Sequence, residues 1–181
     1  MQMDAALDTG PVWLFRRAVI GANETGSHLH DRLALLGAEA LMEALPLLGG
    51  KQHQPAAQSD EGVTYAHKLH KKEAEIEWDQ AAALIHRKVC AFNSWPVAYT
   101  SADGALLRVW ESRLVDDDGV CDLKASPGSV ISSAPQGIDV ATGDGVLRIV
   151  KLQLPGKKAM SAADFLNAHS LKDAVLGYGA T

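Results

Sequence analysis

Hydrophobic and polar positions alternate most regularly in the stretch from residue 137 to residue 154. One alternating run ends at Gly143-Asp144-Gly145, and a second apolar run follows it directly. An Asp-Gly turn between two such runs is a strong hairpin signal, because both central residues tolerate positive φ. The pattern predicts paired strands over 137–142 and 146–154, and Pro155-Gly156 ends the second strand.

Three further short runs with strand character precede this hairpin, and each is bounded by turn residues. Short strands with regularly spaced turns are typical of a small antiparallel barrel. The expected fold of this half is therefore a mostly antiparallel, OB-like β-barrel with flanking helices. The predicted strands are 97–101, 106–114, 128–132, 137–142 and 146–154.

Two segments next to these strands have the pattern of helices. Ala82, Ile85, Val89 and Phe92 form an apolar stripe at helical spacing, and Asp79 could cap that helix. A second helix is expected from Ser161, an N-cap residue followed three positions later by an acid.

The first fifty residues have a different pattern. They predict a strand over 12–20, a helix from about residue 25 that Gly37 interrupts, and a second helix that ends near Leu48. A lone strand leaves both of its edges unpaired and cannot close a core. We therefore expect residues 1–50 to be the end of a larger α/β domain whose main part precedes Met1. The polar stretch 51–62 is expected to be a linker, and residues 63–181 the second domain.

The amino-acid composition and the net charge restrict the classes of protein to which this chain could belong. The chain has 181 residues with 47% hydrophobic and 22% charged residues, which is typical of a soluble globular protein. No apolar run is long enough to cross a membrane. The net charge of −5 argues against broad, non-specific binding to nucleic acid but leaves room for a local basic face. Cys90 and Cys121 form no Cys-x-x-Cys pair, so two buried, reduced thiols are expected, and a disulfide between them is an alternative that no pattern supports.

Metal binding is not expected. The histidines belong to no Cys/His framework or His-Glu-x-x-His helix, and Asp116–Gly119 lacks the spacing and the glutamate of a calcium loop. That acidic stretch is expected to be a hairpin turn. Trp95 and Trp110 could stack on nucleic-acid bases, but core packing is the expected use of both indoles.

Long uninterrupted motifs give the chain a family resemblance. The stretch ATGDGVLRIVKLQLPGKKAMSAADFLN, with the upstream motifs AFNSWP, VTYA and LDTG, resembles the C-terminal portion of bacterial methionyl-tRNA formyltransferases. The resemblance implies the end of a Rossmann-like formyltransferase domain followed by an OB-like tRNA-binding domain. It also implies 10-formyltetrahydrofolate as formyl donor, methionyl initiator tRNA as partner, a cytoplasmic location and a monomer, with no metal and no membrane.

The resemblance also implies roles for residues. Asp8 matches the aspartate of the family's catalytic Asn–His–Asp trio, in which the His transfers a proton and the Asn holds the oxyanion. The matching Asn and His are expected upstream of Met1, so the chain alone is expected to be inactive. The later string Asn167-Ala168-His169 lies in the wrong domain to replace them. Contacts to folate are implied for Asp4, Ala5, Ala6, Leu7 and Asp8.

Lysines account for the expected RNA contacts. The sequence pattern by itself predicts that these lysines are solvated surface residues. The resemblance implies instead that they contact phosphates, and such contacts position RNA without reading its sequence. Two alternatives remain open at this point, a related sugar-amine formyltransferase and a non-catalytic tRNA-binding module. The implied RNA-binding residues are Lys68, Lys71, Lys72, Lys157 and Lys158.

Overall fold

The structure is a computed structural model that describes residues 1–48, 53–115 and 125–177. Its contacts divide the chain into two compact units. The first contains Met1–Ala22 and His28–Lys68, and the second contains Asn23–Ser27 and Leu69–Thr181. The predicted domain limits at residues 50 and 63 stay a prediction. The expected acidic turn at 116–119 lies outside the described residues.

The second unit is built on one antiparallel sheet of six strands, in the order β1-β2-β5-β4-β3, with β6 paired to β5. The predicted antiparallel sheet with flanking helices is thus confirmed. Among the described residues the path of strands has two ends, β1 and β3, so the sheet is not closed into the expected barrel. The strands are β1 (Ala98–Ala102), β2 (Ala105–Leu114), β3 (Val130–Ala134), β4 (Gly137–Ala141), β5 (Val146–Gln153) and β6 (Met160–Ser161).

The core of this unit lies between the sheet and two helices. Every residue of β4 is buried, because β3 and β5 cover its edges and the apolar core covers the face that carries Ile138 and Val140. Helix α2 (Ala82–Phe92) contributes Ile85 and Val89, and helix α3 (Ala162–Leu166) contributes Phe165. Apolar burial of this kind is the main source of stability in a domain.

The Asp-Gly turn between β4 and β5 forms as predicted. The Thr142 amide donates to the Gly145 carbonyl at 3.1 Å, and Gly145 has a φ of +83°. The turn also holds the start of α2, because the Ala82 amide donates to the Asp144 carbonyl at 2.8 Å. Helix α2 therefore begins after Ala81 without a side-chain cap, and the predicted capping by Asp79 is wrong.

Helix α3 begins where the sequence predicts. The Ser161 hydroxyl accepts a hydrogen bond from the Asp164 amide at 3.1 Å and donates to the Asp164 carboxylate at 2.7 Å. Such a cap satisfies an amide that the helix itself leaves unpaired.

The N-terminal segment differs from its prediction in two ways. One continuous helix, α1 (Gly26–Leu48), replaces the two predicted helices, because a glycine inside a helix costs only about 1 kcal/mol. The predicted strand over 12–20 is wrong, since that stretch forms a single bridge, between Val12 and Ala56. A strand needs a partner along its whole edge. The described residues of this unit supply only one bridge, which is too little pairing to form a strand. No residue of α1, which is described in full, is buried.

Candidate functional site

The Asp8 loop belongs to the first unit and is shaped by Gln58. The Gln58 amide donates to the carbonyls of Asp8 at 2.8 Å and Gly10 at 2.7 Å. Asp8 adopts a left-handed conformation with a φ of +55°, and its side chain is exposed. Gly10 is required here, because an added Cβ would lie 1.8 Å from the carbonyl oxygen of Gln2.

Asp8 lines a cavity of about 520 Å³ together with Leu7, Thr9 and residues 58–66. None of the residues described around this cavity is a histidine or an asparagine. The structure therefore shows Asp8 without the other two members of the implied trio. Of the five implied folate contacts, Leu7 and Asp8 line the cavity, whereas Asp4, Ala5 and Ala6 do not.

The turn between β5 and β6 holds the exposed Lys157 and Lys158. We call it the lysine turn. Gly156 has a φ of +70°, and the Lys157 amide donates to the Leu154 carbonyl at 3.1 Å. The Gln153 side chain donates to the Lys157 carbonyl at 2.6 Å. The backbone of this turn is thus fixed, and both ammonium groups extend from a defined position.

The other implied RNA-binding lysines are divided between the two units. Lys68 belongs to the first unit, whereas Lys71 and Lys72 lie in a short 3₁₀ turn of the second unit, Lys71–Ala74. Lys72 lines a cavity of about 650 Å³ whose wall includes Glu73, Glu75, Glu77 and Asp79. Acids beside Lys72 weaken its suitability for phosphate.

Lys71 instead lines a cavity of about 470 Å³ with three aromatic side chains, Trp95, Tyr99 and Trp110. We call it the aromatic pocket. Trp95 is 57% exposed, so the prediction that it packs in the core is wrong. Sequence reasoning missed the pocket, although the alternation along β2 signals it: Leu107 and Val109 are buried, while Leu106 and Arg108 lie on the opposite, exposed face.

A second polar cluster lies inside the second unit. His86 Nδ1 and the Ser112 hydroxyl are 2.9 Å apart and buried, and the Cys90 sulfur lies 3.7 Å from His86 Nε2. Burial raises the pKa of the Cys90 thiol, and the positive charge of Arg113 opposes that rise. A thiol with a raised pKa is a poor nucleophile.

Asn167 and His169, which resemble the catalytic string but lie in the wrong domain, are at the end of α3. The His169 ring stacks on Phe165 with ring centroids 4.8 Å apart. Over the described ranges, no group of three or more His, Cys, Asp or Glu side chains is arranged to hold a metal ion. No helix in the described part of the chain is long and apolar enough to span a membrane.

Comparison with known proteins places these features in a family. The family model for the formyl transferase C-terminal domain matches residues 68–170. A methionyl-tRNA formyltransferase of Hahella chejuensis is 46% identical over 167 residues, which are 92% of this chain and 51% of that protein. One from Nitrosococcus oceani is 45% identical over 177 residues, 97% of this chain and 54% of that protein. The chain thus spans about half the length of these relatives.

Solved structures show the same fold at low sequence identity. HypX from Aquifex aeolicus in complex with tetrahydrofolic acid has a TM-score of 0.65 and 21% identity, over 90% of this chain and 28% of HypX. A variant of HypX with several alanine substitutions has a TM-score of 0.66 over 91% of this chain and 30% of HypX. More than half of the sequence matches the family model, and this chain therefore belongs to the formyl transferase C-terminal domain family.

Proposed function

We propose that this chain is the C-terminal part of a methionyl-tRNA formyltransferase. That enzyme transfers a formyl group from 10-formyltetrahydrofolate to the amine of methionyl initiator tRNA in the cytoplasm. The observation that carries the proposal is the 45% identity to the Nitrosococcus oceani formyltransferase over 97% of this chain. The names of these relatives favour methionyl-tRNA over a sugar amine as the substrate.

In the proposed enzyme Asp8 orients and charges a histidine, and that histidine transfers the proton of the attacking amine. An asparagine holds the oxyanion that develops on the formyl group. Neither partner is among the residues described around the cavity beside Asp8, and the proposal assigns both to the other half of the enzyme. Leu7 and Asp8 contact the folate in this cavity, with Asp4, Ala5 and Ala6 beside them. The tetrahydrofolic acid bound by HypX supports a folate as donor.

The lysine turn contributes to the RNA site. Lys157 and Lys158 extend from a fixed backbone, and among the described residues neither forms an ion pair. Both ammonium groups are thus available to phosphate oxygens, which such groups bind without reading sequence. Lys71 shares this role, whereas Lys72 stands among acids and contributes less.

Activity is tested with a chimera that joins the N-terminal half of the Nitrosococcus oceani relative to this chain. The chimera is expected to formylate methionyl-tRNA with 10-formyltetrahydrofolate, whereas purified chain 1–181 alone is not. A folded chimera that formylates a sugar amine but not methionyl-tRNA would overturn the proposal.

RNA binding is tested by a salt titration of tRNA affinity for the chain and for Lys157→Ala/Lys158→Ala. Each lost phosphate contact should lower the slope of log K against log salt by about 0.7 to 0.9. The matched control is Arg113→Ala/Lys172→Ala, which removes the same charge from exposed positions elsewhere on this unit. Equal slopes for the wild-type chain and the Lys157/Lys158 variant would show that this turn is only solvated.

A further inference from the structure

The aromatic pocket has a composition that the lysine turn does not share. Its wall contains Trp95, Tyr99 and Trp110 with Lys71 and Arg108, and none of the residues described around it is acidic. Its volume of about 470 Å³ lies in the range of small-molecule sites. Three aromatic rings and two cations around one cavity call for a ligand with a flat apolar part and a negative charge.

Sheet geometry fixes this arrangement. Tyr99 on β1 and Arg108 on β2 are direct cross-strand partners, so their side chains leave the same face of the sheet. Trp110 lies where the register between β2 and β5 shifts, and its indole N–H donates to Gln153 Oε1 at 2.9 Å. Burial raises the pKa of the Tyr99 hydroxyl, and so does the negative charge of Glu75, which is not part of the pocket wall.

Trp95 is the wall residue with the most accessible ring. The indoles of Trp78 and Trp110 each donate to a side chain, Thr100 Oγ1 and Gln153 Oε1 respectively. Across residues 1–48, 53–115 and 125–177 no hydrogen bond holds the Trp95 indole, and its side chain is 57% exposed. An exposed aromatic face beside cations is the usual platform for an unpaired base.

The two cations are available to a ligand. Within the described part of the chain, neither Lys71 nor Arg108 forms an ion pair, whereas basic side chains of the neighbouring strand β5 do. Cations without acidic partners next to exposed rings favour a nucleotide over an apolar or proline-rich peptide, since such a peptide needs the rings but not the charge.

We propose that the aromatic pocket binds one unpaired nucleotide of RNA, with its base stacked on Trp95 and its phosphate held by Lys71 and Arg108. The inference rests on the proposed function, because it assigns a second RNA contact to the same unit. It differs from the lysine turn in kind. The turn binds duplex or single-stranded backbone alike, whereas the pocket requires a base that is out of the stack.

The test uses the full chain with two probes, the single-stranded hexamer rA6 and an unmodified tRNA transcript. A base stacked on an indole quenches its fluorescence, so rA6 is expected to quench the tryptophan emission of the wild-type chain. Trp95→Phe should bind rA6 within about threefold of wild type, since the ring still stacks, but lose most of the quenching. Trp95→Ala should bind both RNAs at least about fivefold more weakly.

Two control variants match these changes. Leu84→Ala removes a 48% exposed apolar side chain from α2 outside the pocket, and Arg113→Ala removes one positive charge from β2 outside it. Neither should change the quenching or weaken rA6 binding beyond about twofold. Arg108→Ala should lower the salt slope for rA6 by about 0.7, as one phosphate contact to a single strand does. Circular dichroism of each variant checks that it is folded.

The outcomes separate the two proposals. Equal affinity of folded Trp95→Ala and wild type for both RNAs would overturn the pocket while leaving the lysine turn intact. Quenching by a proline-rich decapeptide but not by rA6 would assign the pocket to a peptide and overturn it as well. A wild-type chain that binds neither RNA would overturn both the pocket and the RNA site of the proposed function.

Discussion

Gln153 accepts a hydrogen bond from the Trp110 indole at 2.9 Å. The same side chain donates to the Lys157 carbonyl at 2.6 Å. One amide at the end of β5 therefore joins the wall of the aromatic pocket to the lysine turn. The lysine turn, whose lysines the sequence singled out, and the aromatic pocket, which the sequence did not predict, are thus connected through a single uncharged side chain.

Gln153→Ala should weaken tRNA binding by about threefold, because it releases both the Trp110 ring and the turn, and one hydrogen bond contributes about 0.5–1.5 kcal/mol net. The slope of log K against log salt should stay unchanged, since no charge is lost. Gln80→Ala, which removes an amide that binds Glu77 away from both sites, serves as the control. A changed slope with unchanged affinity at low salt would contradict this prediction.

Asp139→Asn should lower the free energy of unfolding by about 1.5–3 kcal/mol, the usual contribution of hydrogen bonds to a charged group. Arg148 Nε and Nη2 donate to the two carboxylate oxygens of Asp139 at 2.6 and 2.9 Å, across the β4–β5 ladder. The hydrogen bond to Asp139 raises the pKa of Arg148. Urea unfolding measures the change. The double variant Asp139→Leu/Arg148→Leu should cost less than the sum of the single changes.

Gly143→Ala should destabilise the second unit by about 3 kcal/mol, because backbone atoms cannot move aside for the new methyl group. A Cβ at this position would lie 1.7 Å from the Asp79 carbonyl oxygen. The matched change Gly156→Ala meets no atom within 4 Å and should cost only about 1 kcal/mol for its positive φ. Thermal unfolding that is equal for both variants would show that the Asp79 segment adapts.

Cys90 should react slowly with iodoacetamide at pH 8, several-fold below free cysteine, because burial raises the pKa of its thiol. The experiment uses Cys121→Ser so that one thiol remains. Arg113→Ala should slow the reaction further, because the opposing positive charge is lost. The raised pKa means that the Cys90 thiol of the folded chain stays protonated to a higher pH than the same thiol in the unfolded chain. The stability contributed by the neutral thiol is therefore present below the ordinary thiol pKa and declines as pH rises above it.

Asp8→Asn in the chimera should reduce formylation by about two or more orders of magnitude, by analogy with other aspartates that orient a histidine. The affinity for tRNA should stay within about twofold, since Asp8 lies in a different unit from the lysine turn. The experiment measures kcat and tRNA affinity separately and compares the change in each. Loss of both together would indicate a folding defect in the loop instead of a catalytic role.

A structural feature is predicted well from the sequence when the residues that form it are close together in the chain. The β4–β5 hairpin and the Ser161 cap are predicted well, because the residues that form them are adjacent in the chain. The stretch 12–20 has strand character but forms one bridge, since strand pairing depends on residues that the pattern of one segment cannot supply.

The Trp95 prediction failed for the same reason. Its neighbours in sequence indicate the end of a helix, while its exposure is set by β1 and β2, which leave the rings of the pocket uncovered. Asp8 is a third case. Its loop is held by Gln58, fifty positions away in the sequence, and no local pattern connects the two.

The exposed helix α1 has a calorimetric consequence. Because none of its residues is buried, its melting transfers little new apolar surface to water, and the heat capacity of unfolding is proportional to that surface. A heating scan of this chain should therefore show a heat-capacity step near that of a domain of about 110 residues, ~1.4 kcal/mol/K, instead of the ~2.4 kcal/mol/K expected for the whole length. The endotherm of the chain thus reports the melting of the β-sheet unit.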